Sequence, residues 1–291
     1  MENRREFLKK AGVIATGSVL LGSCVGKVSE VKKSIGLQLY TVRNQIDESL
    51  ETTLKKISEI GYTHIESAGH GGNKYYSKTA IQYRELLKSL NLTPISGHYS
   101  TGIANPDDIG TLSNGWDKAL DEMNEIGQKY AVLGYLREEE RKSIDDYKRV
   151  AELLNTAGEK AKKKGIQLCY HNHDFEFVEI DGQLPMYYLL DNVSPDLLKM
   201  ELDLFWITKA GYSIKDFFSK YEGRIPLWHV KDMNDEGDFT EVGSGRVDFE
   251  TAFANKELAG MEYFFVEQDQ SEDPIKSIRK SYTYVENNLV E

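Results

Sequence analysis

From residue 34 to the end, short apolar or β-branched runs alternate with stretches of helical periodicity, eight times over. Few folds accept that order. Strands are expected at residues 35–40, 64–67, 92–98, 130–133, 166–170, 198–203, 225–230 and 263–267. Helices are expected at 50–60, 77–90, 114–127, 144–164, 184–191, 214–221, 248–254 and 274–289, with Gly61 and Gly165 as stops and Pro274 in the last helix's first turn. A strand and helix repeated eight times predicts an α/β chain closed into a single (β/α)8 TIM barrel over residues 34–291. An open doubly wound sheet would usually carry a glycine-rich phosphate turn after its first strand. Here that turn reads Tyr40-Thr41-Val42-Arg43, with no glycine.

Residues 1–27 stand outside the alternation. Arg4 and Arg5 sit in a charged head before an apolar run from Ala11 to Leu21, which resembles a twin-arginine export signal peptide, and Leu21-Gly22-Ser23-Cys24 resembles a lipobox. A run of about 13 apolar residues is too short to span roughly 30 Å of hydrocarbon. The chain is therefore expected to be exported, periplasmic and lipid-anchored, with its mature start near Cys24 and no other contact with the membrane. Without residues 1–23, which carry four basic and two acidic groups, 32 basic and 45 acidic residues remain, a net charge of −13. A surface that acidic repels polyphosphate and argues against a nucleic acid partner. Outer barrel helices look alike whether wetted or packed on a second copy, so a homo-oligomer stays open.

Chemistry concentrates where strands end, which in this fold is the face that binds ligands. The segment Tyr170-His171-Asn172-His173-Asp174-Phe175-Glu176 follows the fifth strand and holds five residues able to bind metal or move protons. His98 ends the third strand, Asp203 the sixth, His229 with Lys231 and Asp232 the seventh, and Glu267 with Asp269 the eighth. Four of the six histidines fall on these ends, more than chance placement would give. Imidazoles and carboxylates around one point suit one divalent metal such as manganese, zinc or cobalt, whereas magnesium seldom chooses imidazole. Taken singly, Asp203 is also a helix cap, His229 a core histidine, Glu267 a partner for Lys231, and Lys231 a partner for Asp232.

The segments Glu201-Leu202-Asp203, Trp228-His229-Val230-Lys231-Asp232, Val242-Gly243-Ser244-Gly245-Arg246-Val247-Asp248-Phe249 and Phe265-Val266-Glu267-Gln268-Asp269 resemble successive motifs of the xylose isomerase-like barrels. That superfamily includes sugar phosphate isomerases and epimerases, inosose dehydratase and endonuclease IV type nucleases. The resemblance implies one divalent metal held by a strand-five carboxylate, a strand-six aspartate, a strand-seven histidine and a strand-eight glutamate. Asp203, His229 and Glu267 match the last three. His171 stands where many relatives have the ligand glutamate, so His171, His173 or Glu176 is left to supply the strand-five ligand. Trp206 replaces a histidine that contacts substrate in several epimerases of the family.

A metal bound to a ketone oxygen and its neighbouring hydroxyl stabilises the enediolate formed when the adjacent carbon loses a proton. Glu176, Glu267, His173 and His98 are candidate proton carriers, Lys231 a candidate neutraliser of an anionic oxygen, and His98, Trp206 and Arg246 candidate substrate contacts. Return of the proton gives an isomerase or epimerase, and loss of a neighbouring group gives a lyase. An exported enzyme would meet neutral keto sugars or keto-glycosides rather than sugar phosphates. The alternative is a non-catalytic carbohydrate-binding lipoprotein on the same barrel.

Overall fold

Eight parallel strands close on themselves: β1 (Gly36–Gln38), β2 (His64–Ser67), β3 (Thr93–Tyr99), β4 (Tyr130–Leu133), β5 (Gln167–His171), β6 (Leu198–Asp203), β7 (Leu227–Val230) and β8 (Tyr263–Val266). Each pairs with the next, and β8 returns to β1 with Phe265 opposite Gly36. The computed structural model describes residues 34–69 and 74–290. The export signal expected at residues 1–27, with Cys24, lies outside the described residues.

A helix follows every strand: α1 (Leu50–Ile60), α2 (Ala80–Ser89), α3 (Trp116–Ile126), α4 (Ile144–Lys163), α5 (Pro185–Asn192), α6 (Ile214–Lys220), α7 (Phe249–Ala254) and α8 (Pro274–Asn288). Their starts are written locally. Thr79 with Gln82 and Ser143 with Asp146 form reciprocal capping boxes for α2 and α4, and Asp273 caps α8 just before Pro274. Gly61 closes α1 at a φ of 128°, and Tyr282 packs where its side chain would be.

The differences from expectation are short and have causes. β1 stops at Gln38 because that side chain accepts the Tyr40 amide (3.0 Å), turning the chain into a 3-10 turn (Leu39–Val42) and a short helix (Arg43–Glu48) before α1. β7 starts at Leu227 rather than residue 225, since Pro226 has no N–H to give the ladder.

Strand side chains alternate between two environments. Outward residues such as Leu37, Ile65, Tyr170, Met200 and Trp228 meet the helices in the larger core. Ile95, Tyr130, Val132, Cys169, Leu227 and Phe265 form a separate, smaller apolar core, in which Cys169 is a buried free thiol. This plug fills the barrel below its mouth. What lies above it on the same strands is polar.

Candidate active site

Two residues further along the strands, the apolar plug gives way to charge: Cys169 to His171, Leu227 to His229 and then Lys231, Phe265 to Glu267 and then Asp269. The result has two levels.

At the deeper level, β2, β3, β5, β6 and β7 contribute Glu66, His98, His171, Glu201 and His229. His98 Nε2 lies 2.8 Å from Glu201 Oε2 and 3.2 Å from Glu66 Oε1. His229 Nε2 lies 2.7 Å from Glu66 Oε1 and 3.2 Å from Glu201 Oε2, and His171 Nδ1 is also 3.2 Å from Glu201 Oε2. Gln38 Nε2 donates to Glu66 Oε1 at 2.6 Å. Among the described residues, Glu66 Oε2 and Glu201 Oε1 have no hydrogen-bond partner, although both are buried. Gly134, just past β4, makes the room: a β-carbon there would fall 2.3 Å from His98 Nδ1.

At the outer level, Lys231 Nζ lies 3.0 Å from Asp203 Oδ2, 2.6 Å from Glu267 Oε2 and 2.8 Å from Asp269 Oδ1. His229 reaches this level with its other nitrogen, Nδ1, 2.7 Å from Glu267 Oε2. Asp203 does two jobs at once. Its Oδ1 accepts the amides of Phe205 (2.8 Å) and Trp206 (3.0 Å), starting the short helix Leu204–Lys209, while Oδ2 faces Lys231. Its own amide donates to Asn172 Oδ1 at 2.9 Å, which ties β6 to the loop after β5. The pairing of Lys231 with Asp232 does not form. Alternation sends Lys231 to the barrel axis, and Asp232 instead accepts the amides of Gly243 (2.9 Å), Gly245 (2.9 Å) and Val247 (3.1 Å). The 242–248 motif is therefore a loop fastened to β7 by one carboxylate.

These contacts split the titrations of similar groups. Burial would lower Lys231, yet Asp203, Glu267 and Asp269 hold its ammonium well above the usual value. Burial also opposes charge on His98 and His229, but Glu66 and Glu201 raise His98 to about 10, and Glu201 with Glu267 raises His229 well above its ordinary value. His171 and His173 go the other way. Burial lowers both, with His229 next in effect on His171 and Lys231 next on His173, which falls to about 3. Burial raises Asp203 to about 6, even against the pull of Lys231.

The donor chemistry fits a divalent cation. Two sets of ligand atoms each lie within 4.8 Å of one another: His171, Asp203, His229 and Glu267, and His98, His171, Glu201 and His229. An ion in the deeper set would replace two imidazole protons charge for charge.

A cavity of about 710 Å³ opens onto the mouth, walled by His98, His171, His173, Lys231, Glu267 and Asp269 and, further out, by Tyr40, Asn105, Tyr135 and Arg137. The structure thus brings His98, His171, His173, Asp203, His229, Lys231 and Glu267 together. It does not bring Glu176, whose carboxylate accepts from Tyr170 Oη (2.6 Å) and the His173 amide (2.8 Å) in a fully buried corner away from the cavity wall. Glu176 therefore shapes the loop carrying His173 and cannot reach back as a ligand. Arg246 is also elsewhere: it is exposed, with its amide on Met233 O at 2.8 Å. Trp206 is half-buried against His173 and Phe239, with Lys231 Nζ 5.7 Å from its ring centre, but it is not on the cavity wall. Glu66 and Glu201 carry no strand-end signal. The available clue was a glutamate at even spacing inside an apolar strand, as Glu201 stands to Asp203.

A family model described as "Xylose isomerase-like TIM barrel" matches residues 54–284. An inosose dehydratase of Clostridium perfringens is 24% identical over 299 residues, covering 88% of this chain and 97% of that protein. A crystal structure described as a sugar phosphate isomerase/epimerase from Parabacteroides distasonis superposes with a TM-score of 0.79 at 25% identity, over 90% of this chain and 96% of the other. The structure of an IOLI protein with a bound zinc atom superposes with a TM-score of 0.69 at 16% identity, over 88% and 99%.

Proposed function

Because the chain belongs to the xylose isomerase-like TIM barrel family, we propose that it is a carbohydrate enzyme that removes a proton beside the ketone of a keto sugar or keto-glycoside and expels the group on the next carbon. The observation that carries this is Lys231 Nζ on the cavity wall, within 3.0 Å of three carboxylates. An ammonium so held, beside carboxylates and imidazoles, can stabilise an oxyanion and accept or return a proton in one place.

His171 and His229, common to both donor sets, would hold a divalent cation. When bound, that cation would polarise the ketone and stabilise negative charge on its oxygen. The protein's own groups do the rest. Asp269 and Glu267, both on the cavity wall, are the carboxylates suited to take the proton. As the carbon–hydrogen bond breaks, its electrons form a carbon–carbon double bond and the neighbouring carbon–oxygen bond opens. The departing oxygen needs a proton, and the Lys231 ammonium, also on the cavity wall, suits that role. The sugar loses water or an alcohol without net oxidation. Relatives named dehydratases support elimination over simple epimerisation. Export, if residues 1–27 act as the expected signal, would bring the enzyme neutral carbohydrates rather than phosphorylated ones.

The test is incubation of the protein with manganese, zinc or cobalt and a panel of keto sugars and keto-glycosides in heavy water, followed by NMR. Deuterium at the carbon beside the ketone, or release of the neighbouring substituent, is expected. Binding without exchange or release from any member of the panel would make the chain a carbohydrate-binding module instead.

A further inference from the structure

The family pattern expects a carboxylate on β5, and this chain offers His171 there. The register answers that loss: the Cα of His171 is paired with that of Glu201 on β6. Three imidazole nitrogens from three strands lie around one atom, Glu201 Oε2: His98 Nε2 at 2.8 Å in hydrogen-bond geometry, and His171 Nδ1 and His229 Nε2 each at 3.2 Å. Ligands about 2.1 Å from one ion lie about 3.0 Å apart in an octahedron and about 3.4 Å apart in a tetrahedron. These separations have that size.

The outer set is close between His229 Nδ1 and Glu267 Oε2 (2.7 Å) but wide at Asp203, and it already holds a cation. His171 Nε2 and His229 Nδ1 lie 3.8 and 4.0 Å from Asp203 Oδ2, while Lys231 Nζ sits 3.0 Å from that oxygen and 2.6 Å from Glu267 Oε2. A divalent ion there would displace or repel the buried ammonium. Both levels cannot be filled together, because a neutral imidazole has one free lone pair and His171 and His229 turn opposite nitrogens to the two levels.

We infer that the divalent cation is held at the deeper level by His98, His171, Glu201 and His229, with Glu201 supplying the carboxylate that β5 lacks and Lys231 serving as the resident cation of Asp203, Glu267 and Asp269. Glu66 Oε1, 2.7 Å from His229 Nε2, is a further donor at the same level. His98 and His171 line the cavity, so the ion remains within reach of a ligand there. The inference rests on the reading above that the protein uses a divalent cation, but it concerns which atoms bind it.

The test strips the full chain with a chelator and titrates it with cobalt(II), reading stoichiometry and Kd by calorimetry and the number of imidazole ligands by X-ray absorption. One ion with three imidazoles is expected. Two imidazoles, the number the outer set offers, would overturn the inference without relying on any variant. Glu201→Gln should weaken cobalt binding by about 100-fold or more, the loss expected of a direct ligand, while Asp203→Asn changes Kd by less than about 10-fold. Thermal melts of both variants establish that they fold. Loss of binding in Asp203→Asn with retention in Glu201→Gln would also overturn it. A wild-type protein that binds cobalt through two imidazoles and still exchanges deuterium sinks only this inference, whereas one that binds no cobalt also removes the metal from the proposed function.

Discussion

Along β7, Leu227 and His229 are two residues apart and face the same barrel axis, yet one belongs to an apolar plug and the other to a buried ionic cluster. The plug of Ile95, Tyr130, Val132, Cys169, Leu227 and Phe265 gains free energy simply by leaving water. The layers above it hold Glu66, His98, His171, Glu201, Asp203, His229, Lys231 and Glu267, nearly all shielded from solvent, where each charge is costly unless a partner answers it. The barrel is therefore held together from below and is functional from above. The upper half should respond to mutation through chemistry and charge balance, and the lower half through packing alone.

The largest effect is expected at Lys231. Lys231→Met keeps most of the side chain's length but leaves three carboxylates facing one another without their cation. Deuterium exchange should fall by about 10²–10⁴-fold, the usual contribution of a placed proton-transfer group. Stability should fall by about 3–5 kcal/mol, as when one partner of a buried ion pair is removed. If exchange persists in a folded variant, Lys231 is a structural counter-ion and nothing more.

Phe265→Ala tests the other half. Phe265 is fully buried in the plug, so the truncation should cost about 3–5 kcal/mol in denaturant unfolding. Cobalt stoichiometry and exchange rate, measured well below the melting temperature, should stay near the wild-type values. A variant that lost metal while staying folded would mean that the plug positions the ionic layers, and the two halves would no longer be separable.

That division also explains what could be read in advance. Alternating apolar runs and helix signals are local, so the eight strands and the closed α/β barrel were legible within a few residues. The outer site was legible too, since Asp203, His229, Lys231 and Glu267 sit where strands end. Glu66 and Glu201 were not, because a buried glutamate inside a strand becomes sensible only once the register places it beside His98 or His171. Glu176 is the opposite case: its place in the loop after β5 suggested reach, but a 3-10 turn over Phe175–Phe177 folds it inward onto Tyr170. Arg246 was carried only by its place in a motif that Asp232, from the motif before it, holds by its backbone amides.

Glu176 gives the smallest and sharpest contrast with the mouth. Glu267 is a buried carboxylate answered by cations, and Lys231 and His229 hold it below the ordinary range despite desolvation. Glu176 is hydrogen-bonded only by neutral donors, the Tyr170 hydroxyl and backbone amides, and the Arg141 charge acts on it least, so burial dominates and raises it from 4.5 to about 7. Between those two values the folded protein keeps a proton that the unfolded chain has released. Its contribution to stability is therefore complete below about pH 4.5, declines as pH rises towards 7, and is flat above. Glu176→Gln removes that titration. The variant's stability relative to wild type should rise by about 1–3 kcal/mol between pH 4.5 and 7, on top of a constant loss from its altered hydrogen bonds. Urea unfolding of both proteins across that range measures the difference directly. A flat difference would mean that Glu176 stays ionised, and that two well-aimed neutral donors can do for a buried carboxylate what Lys231 and His229 do for Glu267.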